Sequence, residues 1–390
     1  MNFDEVIERR GTHSAKWDKM ETVSGVSPDD GIPMWVADMD FRAPDCVVDA
    51  LRRYVDGGVY GYFGDDSAYL EAIRWWQSNR HGWEIDTDAV FTTHGLVNGA
   101  GLCIEAYSEP GDAVVLFTPV YHAFHRVISA ANRGITQLPL ALTDGRYEMD
   151  FDAYDALMTG KEKIILLCSP HNPGGRVWSK AELQQVAAFA EKHDLILVSD
   201  EIHNDLILPG HKHIPMAVAA PEIAHRLVMM TATTKSFNIA GAHTGNVIIH
   251  DPKLRERFAA VMGGLGISPN AFGLHMATAA MSPAGAEWID ALCLYLDGNR
   301  KIFDAGIDSI PGVTSMPLQG TYLAWVDFSG TGMDRAEVMK RISQDARIAV
   351  NEGVPFGKGG ESYNRFNFAT RRALVEEAVG RLQQAFGDLQ

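Results

Sequence analysis

The sequence is poor in cysteine, in net positive charge and in long apolar runs. Its cysteines form no CxxC pair and lie in apolar or helical contexts: Cys46, Cys103, Cys168 and Cys293. We therefore expect reduced core thiols rather than a disulfide framework. Lysine and arginine total 34 against 50 aspartate and glutamate residues, a formal net charge of −16 with no basic block to offset it. This balance disfavours nucleic acids and anionic membranes as partners.

Segments for insertion into or passage through a membrane are also missing. No run of about 18 apolar residues occurs, so we expect no membrane span. The first residues, Met1-Asn2-Phe3-Asp4-Glu5, start charged and carry no apolar signal core. With reduced cysteines, these features predict a cytoplasmic protein.

The length of the chain and the order of its predicted strands and helices indicate two domains of unequal size. The chain has 390 residues, 46% hydrophobic and 22% charged, as is normal for a globular protein. Continuous apolar strands alternate with helices until about residue 275, which favours an α/β fold with a mostly parallel, seven-stranded type of sheet covered on both faces. Beyond it the pattern indicates a smaller α+β domain. We expect residues 45–275 to form the large domain, and residues 1–44 with 276–390 the small one.

The individual elements follow from apolar runs, caps and breakers. Strands are predicted at 90–92, 113–117, 135–138, 164–168, 195–199, 227–231, 246–249, 322–326, 348–350 and 366–368. Helices are predicted near 44–56, 68–80, 95–106, 179–193, 283–307, 335–344 and 372–387. The helix at 179 carries a capping box, with Ser179 and Glu182 three residues apart.

Three polar side chains follow three of these strands. Asn172 follows strand 164–168, Asp200 ends strand 195–199, and Lys235 follows strand 227–231. In such sheets ligands bind beyond the carboxyl ends of the strands, so these residues should share one edge. An amine, a carboxylate and an amide together suit pyridoxal 5'-phosphate (PLP), through a lysine Schiff base, an aspartate on the pyridine nitrogen and an asparagine near the ring hydroxyl.

Each of these residues also has an ordinary interpretation. Most lysines lie on the surface, but Lys235 follows a buried strand and is flanked by hydroxyl and small residues. Desolvation there should depress its pKa and favour the neutral amine. Asp200 alone is more typical of a turn, and Asn172 begins an Asn-Pro-Gly-Gly turn signal. The three together favour the cofactor site.

Further candidates are anion-binding groups. Gly95 lies between a strand and a helix, where free backbone N–H groups and the helix dipole suit a phosphate. Arg365 interrupts a strand-like alternation and could bind a substrate carboxylate bidentately, or form an ordinary surface ion pair. We expect no metal site. Four histidines with metal-like spacing have no supporting motif and are interpreted as structural or surface residues: His122, His125, His211 and His213.

Several long motifs resemble those of fold-type I PLP enzymes, and more narrowly the MalY/PatB cystathionine β-lyase family of the class I/II aminotransferase superfamily. The resemblance covers nearly the whole chain. Its most specific segments are Met34-Trp35-Val36-Ala37-Asp38-Met39-Asp40-Phe41, Cys168-Ser169-Pro170-His171-Asn172-Pro173, Ser199-Asp200-Glu201-Ile202-His203, Lys235-Ser236-Phe237-Asn238-Ile239-Ala240-Gly241 and Gly320-Thr321-Tyr322.

The resemblance implies a role for each matching position. Lys235 and Asp200 would act in catalysis, with Tyr121 stacked on the cofactor ring. The phosphate and the rest of the cofactor would be held by Gly95, Leu96, Val97, Asn172, His203, Thr233, His243 and Tyr62. Tyr62 would act from a neighbouring subunit, which implies a homodimer with shared active sites. Ala37 and Asp38 would line the substrate entrance, and Asn172 and Arg365 would bind the amino-acid substrate.

The chain departs from the family pattern at two places. Thr233-Thr234 stands where the family has Pro-Ser before the lysine, and His243 stands where it carries Lys or Arg facing the phosphate. The resemblance implies a carbon–sulfur β-lyase that cleaves cystathionine or related cysteine S-conjugates to a thiol, pyruvate and ammonia. Two alternatives stay open: a class I/II aminotransferase, and a PLP-binding regulatory protein with secondary lyase activity.

Overall fold

The computed structural model describes residues 1–389 and contains the following strands and helices. The strands are β1 (Ile32–Pro33), β2 (Val90–Thr93), β3 (Ala113–Thr118), β4 (Gly134–Pro139), β5 (Ala141–Thr143), β6 (Arg146–Glu148), β7 (Glu162–Cys168), β8 (Ile196–Asp200), β9 (Leu227–Thr231), β10 (Gly245–Ile248), β11 (Thr314–Ser315), β12 (Leu323–Asp327), β13 (Ile348–Ala349), β14 (Asn351–Glu352) and β15 (Tyr363–Asn367). The helices are α1 (Ala15–Asp18), α2 (Met20–Ser24), α3 (Asp45–Asp56), α4 (Ser67–Trp76), α5 (Leu96–Tyr107), α6 (His122–Ala130), α7 (Phe151–Tyr154), α8 (Lys180–Lys192), α9 (Met216–Ala219), α10 (Pro252–Gly264), α11 (Ala271–Ala280), α12 (Pro283–Asp308), α13 (Arg335–Lys340) and α14 (Arg372–Ala385).

A seven-stranded sheet with the order β2-β10-β9-β8-β7-β3-β4 forms the centre of the molecule. The five strands from β9 to β4 pair in parallel, and β10 pairs antiparallel with both β9 and β2. Alternate residues face opposite sides: buried Val114 belongs to a cluster with residues of α5 and α10, and buried Val115 to a cluster with residues of α8. The predicted α/β fold with a mostly parallel sheet of seven strands is confirmed.

A smaller antiparallel sheet, β11-β12-β15-β14, comes from the C-terminal part of the chain. The N-terminal segment joins this part, because β1 pairs in parallel with β13 through Ile32 opposite Ile348. The smaller α+β region predicted there is therefore present, with the N-terminal segment attached. The boundaries at residues 45 and 275 stay a prediction. Among the described helices, none is both long enough and apolar enough to span a membrane.

Most predicted elements occur within a few residues of their expected bounds, and the capping box at Ser179 is present. The helix expected to reach residue 80 changes into a π-helical turn at Gln77–His81. The longest helices that were not predicted are α6, α10 and α11. The β5–β6 hairpin and several elements of five residues or fewer were also missed: α1, α2, α7, α9, β1, β11 and β14. Helix α10 carried a readable signal: Asp251 accepts from the backbone N–H groups of Lys253 and Leu254, and Pro252 occupies the first turn. Helix α11 is mostly apolar with little periodicity, so the sequence gives no clear signal for a helix there.

Candidate active site

A cavity of about 760 Å³ lies at the carboxyl-terminal edge of the large sheet. Strands β7, β8 and β9 end there and deliver Asn172, Asp200 and Lys235 to its wall. The convergence expected from the strand ends is therefore present. Other predicted residues in the lining are Ala37, Gly95, Leu96, Val97, Tyr121, His203 and His243.

Lys235 is half-buried and its amine is held by the N-terminal segment. Its Nζ donates a hydrogen bond of 2.8 Å to the carbonyl oxygen of Ala37. The hydroxyl of Tyr322 donates to the same oxygen at 2.9 Å. Burial lowers the pKa of the Lys235 amine to about 8, against the opposing effect of the carboxylates of Asp38 and Asp200. A sizeable fraction of the amine is therefore neutral near physiological pH, as a nucleophile or base requires.

Asp200, the last residue of β8, is buried in the cavity wall. Its Oδ1 accepts a hydrogen bond of 3.1 Å from the backbone N–H of Ile202. Burial raises the pKa of its carboxyl to about 7. His203 lies nearby and burial lowers the pKa of its imidazole to about 3, so it is neutral. Its Nδ1 is buried without a hydrogen-bond partner within residues 1–389, which leaves a polar atom available at a cavity wall.

Arg365 lies buried behind Asn172 on strand β15. Its Nη1 donates to Oδ1 of Asn172 at 3.0 Å, and its Nη2 donates to Oδ1 of Asn351 at 2.6 Å and to the carbonyl of Trp35 at 3.0 Å. The guanidinium also lies 5.1 Å from the ring centre of Phe356. Burial lowers its pKa to about 10, so Arg365 still carries its charge at neutral pH. A buried guanidinium beside a cavity suits a carboxylate ligand.

The start of α5 forms one end of the cavity. Gly95 precedes the helix with φ +84° and ψ 167°, a backbone conformation that side chains disfavour. Leu96 and Val97 begin the helix, where the first N–H groups have no intrahelical partner and the dipole favours negative charge. His243 lines the same cavity and has a left-handed backbone with φ 45°. His94 also lines it, and its Nε2 lies 2.7 Å from the carbonyl of Ser268.

Four predicted site residues lie outside the cavity lining of the described chain. One is Arg365, which reaches the lining only through its hydrogen bond to Asn172. The carboxylate of Asp38 pairs with Arg9 at 3.0 Å instead of facing the cavity. Thr233 is buried, and its neighbour Thr234 lines the cavity in its place. Tyr62 is 103% exposed, so it contacts little of its own subunit.

Tyr322 and Asn351 hydrogen-bond to predicted site residues, Ala37 and Arg365, although neither was predicted itself. Tyr322 was within the Gly320-Thr321-Tyr322 motif, so the same motif could have identified it. Asn351 had no local signal, because its contact with Arg365 depends on the register that places Asn351 opposite Arg365 across β14 and β15.

The donor set fits a cofactor with an aldehyde, a basic ring nitrogen and a phosphate. The cavity offers a lysine amine with a lowered pKa, a buried carboxyl and a helix start with positive dipole. The aromatic ring of Tyr121 is half-buried in the lining and suits stacking on a flat ring. Nδ1 of His203, which has no hydrogen-bond partner in the described part of the chain, leaves one more polar contact to be made.

Comparison with known proteins agrees with this arrangement. The family model for class I and II aminotransferases matches residues 30–382. Cystathionine beta-lyase PatB of Bacillus subtilis (strain 168) is 37% identical over 389 residues, covering 99% of this chain and 100% of the relative. Protein MalY of Escherichia coli (strain K12) is 33% identical over 393 residues, covering 98% of each.

Among solved structures, cystalysin from Treponema denticola, which contains a pyridoxal 5'-phosphate cofactor, superimposes with a TM-score of 0.95. It is 35% identical and covers 100% of this chain and 99% of its own. The fold is thus the fold-type I architecture predicted from the motifs. The chain belongs to the class I and II aminotransferase family, in the PatB and MalY group that its motifs resemble.

Proposed function

We propose that the protein is a PLP-dependent carbon–sulfur β-lyase that cleaves cystathionine or related L-cysteine S-conjugates. The observation that carries the proposal is the convergence of Asn172, Asp200 and Lys235 on one cavity beside the start of α5. The relatives named cystathionine beta-lyase support the choice of reaction within the family. The overall change consumes water and yields a thiol, pyruvate and ammonia.

Residues of the cavity would hold the cofactor at each of its functional groups. Lys235 would bind the aldehyde carbon, Asp200 the ring nitrogen, and Tyr121 the ring face. When bound, PLP accepts the electron pair released at the substrate Cα, which makes the Cα proton removable. The other predicted contacts to the cofactor are Gly95, Leu96, Val97, Asn172, His203, Thr233 and His243, with Tyr62 of the partner subunit.

The amine of Lys235 acts as the general base. With substrate bound in the cavity, Nζ would take the proton from the substrate Cα. The lowered pKa of Lys235, about 8, makes the neutral amine accessible at neutral pH. The carbonyl of Ala37, 2.8 Å from Nζ, would accept a hydrogen bond from the resulting ammonium and hold it in place.

Asp200 and Arg365 would each pair with a charged group during the reaction, Asp200 with the ring nitrogen and Arg365 with the substrate carboxylate. Asp200 would face the ring nitrogen and favour its protonated form, and that positive charge in turn favours the carboxylate over the neutral acid. Arg365 would bind the substrate carboxylate and so orient the Cα–H bond toward Lys235. Loss of the Cα proton is followed by cleavage of the Cβ–S bond, with the electron pair leaving on sulfur as a thiolate.

We also propose a cytoplasmic homodimer with shared active sites, built from a large domain (45–275) and a small domain (1–44 with 276–390). Free thiols support the location, since disulfides are rare in the cytosol. The full exposure of Tyr62 supports the dimer, because a large aromatic side chain with few contacts to residues 1–389 of its own subunit is available to a second copy.

The test is pyruvate release from L-cystathionine by the purified PLP-loaded protein without any keto acid. We expect sustained pyruvate with an equal amount of ammonia. Turnover that requires a keto acid and yields no pyruvate would instead establish an aminotransferase. Absence of both reactions with cystathionine, but pyruvate from cystine or S-alkyl-cysteines, would keep the lyase and change its substrate.

A further inference from the structure

A buried cluster of charges lies in the N-terminal segment, outside the cavity. The side chain of Lys16 is 0% exposed and that of Asp40 is 8% exposed. Lys16 Nζ donates to Oδ2 of Asp40 at 2.7 Å and to the carbonyl of Asp38 at 3.3 Å. Charged groups at this depth persist only when paired and hydrogen-bonded, so the arrangement is strongly constrained.

Two more side chains complete the pairing of Asp40. Its Oδ1 accepts from Nη1 of Arg9 at 2.7 Å and from Nε1 of Trp17 at 2.9 Å. Arg9 also binds both carboxylate oxygens of Asp38, at 3.1 and 3.0 Å, and the carbonyl of Met39 at 3.0 Å. Arg9 and Lys16 therefore hydrogen-bond to the backbone of segment 38–40 as well as to the carboxylate of Asp40.

The same segment is held from its other side by two asparagines. Asn367 Nδ2 donates to the carbonyls of Val36 and Asp38, each at 2.6 Å. Asn238, three residues after Lys235, accepts from Met39 N at 2.9 Å and donates to the Met39 carbonyl at 2.9 Å. The carbonyls on both sides of Ala37 are thus fixed, and the Ala37 carbonyl has little freedom to turn.

That carbonyl is the group that receives Lys235 Nζ, at 2.8 Å. We propose that Asp40, held by Lys16 and Arg9, is a positioning residue. It keeps the Ala37 carbonyl oriented so that it accepts the hydrogen bond from the amine of Lys235. The proposal builds on the role of Lys235 in the proposed function. A carbonyl held at this distance favours the ammonium form and restricts where the amine can move after it takes a proton.

The charges that face Lys235 come from three other elements. Asp38 and Asp200 raise its pKa, Arg365 lowers it, and burial outweighs them all. These three side chains are kept when Asp40 and Lys16 are changed. Asp38 loses the ammonium of Lys16, which lies 4.0 Å from its Oδ1, but keeps its pairing with Arg9. That loss alone would raise the pKa of Lys235, so a fall in the pKa of Lys235 in such a variant reports the Ala37 contact.

The test is the pH dependence of Lys235 labelling by an amine-reactive acylating reagent in the full-length, cofactor-free protein, followed by peptide mass spectrometry. The double variant Lys16→Met/Asp40→Asn removes the ion pair without leaving one charge buried alone, and Arg9 keeps Asp38 as its partner. We expect the labelling midpoint of Lys235 to fall by about one pKa unit, because the ammonium loses a fixed acceptor.

Two controls separate positioning from general damage. Lys19→Met makes the same change at an exposed position three residues away and should leave the midpoint where it is in the parent protein. Lys16→Arg keeps the charge beside Asp40, so the labelling midpoint of Lys235 in this variant should stay close to that of the parent protein. An unchanged midpoint in the folded double variant would overturn the proposal. Labelling needs no turnover, so failure of the lyase assay would not affect this result.

Discussion

Nη1 of Arg365 donates a hydrogen bond of 3.0 Å to Oδ1 of Asn172, although 193 positions separate the two residues in the chain. This contact joins the small sheet, which carries Arg365 on β15, to the large sheet, whose strand β7 leads to Asn172. A proposed substrate ligand and a proposed cofactor ligand therefore support each other directly. The Nε of Arg365 is buried with no hydrogen-bond partner within residues 1–389, so one N–H donor of the guanidinium is still available to a ligand.

The first prediction concerns this guanidinium. Arg365→Lys keeps a positive charge but cannot hold Asn172, Asn351 and a carboxylate at the same time. We expect KM for L-cystathionine to rise by about tenfold to hundredfold, with a smaller change in kcat, because substrate and transition state lose the same contact. Steady-state kinetics measure both. Arg347→Lys, at an exposed ion pair with Asp30, is the matched control. Equal kinetics in the two variants would remove Arg365 from the substrate site.

The second prediction concerns the proposed base. Lys235→Ala removes both the covalent anchor for the cofactor and the group that takes the Cα proton. We expect pyruvate release to fall by at least about a thousandfold and the visible absorption of the lysine-bound cofactor to disappear. Lys253→Ala, an exposed lysine at the start of α10, should behave like the parent protein. Parent-like turnover by Lys235→Ala would refute the assignment.

The third prediction uses the buried carboxyl of Asp200. Its pKa in the folded protein is about 7, above the value of about 3.9 for an unfolded aspartate. Between these values the folded state binds more protons than the unfolded state, so the stability contributed by this group decreases as pH rises. Asp200→Asn does not titrate. In the cofactor-free protein, its free energy of unfolding relative to the parent should therefore be higher at pH 8 than at pH 5.

Denaturant unfolding at both pH values measures that difference. The same substitution should strongly reduce pyruvate release in the loaded enzyme, because an amide does not keep the ring nitrogen protonated. A relative stability that stays constant from pH 5 to pH 8 would show that the carboxyl of Asp200 is not held neutral by burial.

The fourth prediction concerns the phosphate end of the cavity. His243 lines it where the family carries Lys or Arg, whose permanent positive charge and several N–H donors suit a phosphate better than an imidazole does. We expect His243→Ala to raise the Kd for PLP and His243→Arg to lower it, measured by titration of the cofactor-free protein. His225→Ala changes an exposed histidine elsewhere and serves as the control. Unchanged affinity in both His243 variants would exclude this side chain from phosphate binding.

The predictable part of the site is the part fixed by strand ends. Asp200 and Lys235 could be placed together from sequence because parallel strands finish at one edge, and their shared cavity confirms that placement. Contacts that depend on pairing register could not be placed: Asn351 reaches Arg365 only because β14 and β15 align those two residues. The burial of Lys16 against Asp40 has no local sign in the sequence, because only the tertiary structure brings the two side chains together.

The backbone conformation of the Met34–Phe41 segment, at the edge of the cavity, could not be predicted from the sequence either. The Met34–Phe41 motif was recognised, but nothing local indicates that Asp38 pairs with Arg9 while the carbonyl of Ala37 meets Lys235. The direction of a side chain in an irregular segment depends on partners that are distant in sequence. The helix start at Gly95 was predictable in contrast, since a strand, a glycine and a helix follow each other directly.

The last prediction tests the shared active site through Tyr62. Its side chain is 103% exposed, and it is proposed to reach the cofactor phosphate of the partner subunit. Tyr62→Ala and Lys235→Ala should each have low activity alone. After unfolding and refolding together, a mixed dimer would pair the intact Lys235 of one chain with the intact Tyr62 of the other, which completes one of its two sites. Random mixing should then recover roughly a quarter of the parent activity. Activity that stays at the sum of the two separate variants would mean that Tyr62 serves its own subunit or no site at all.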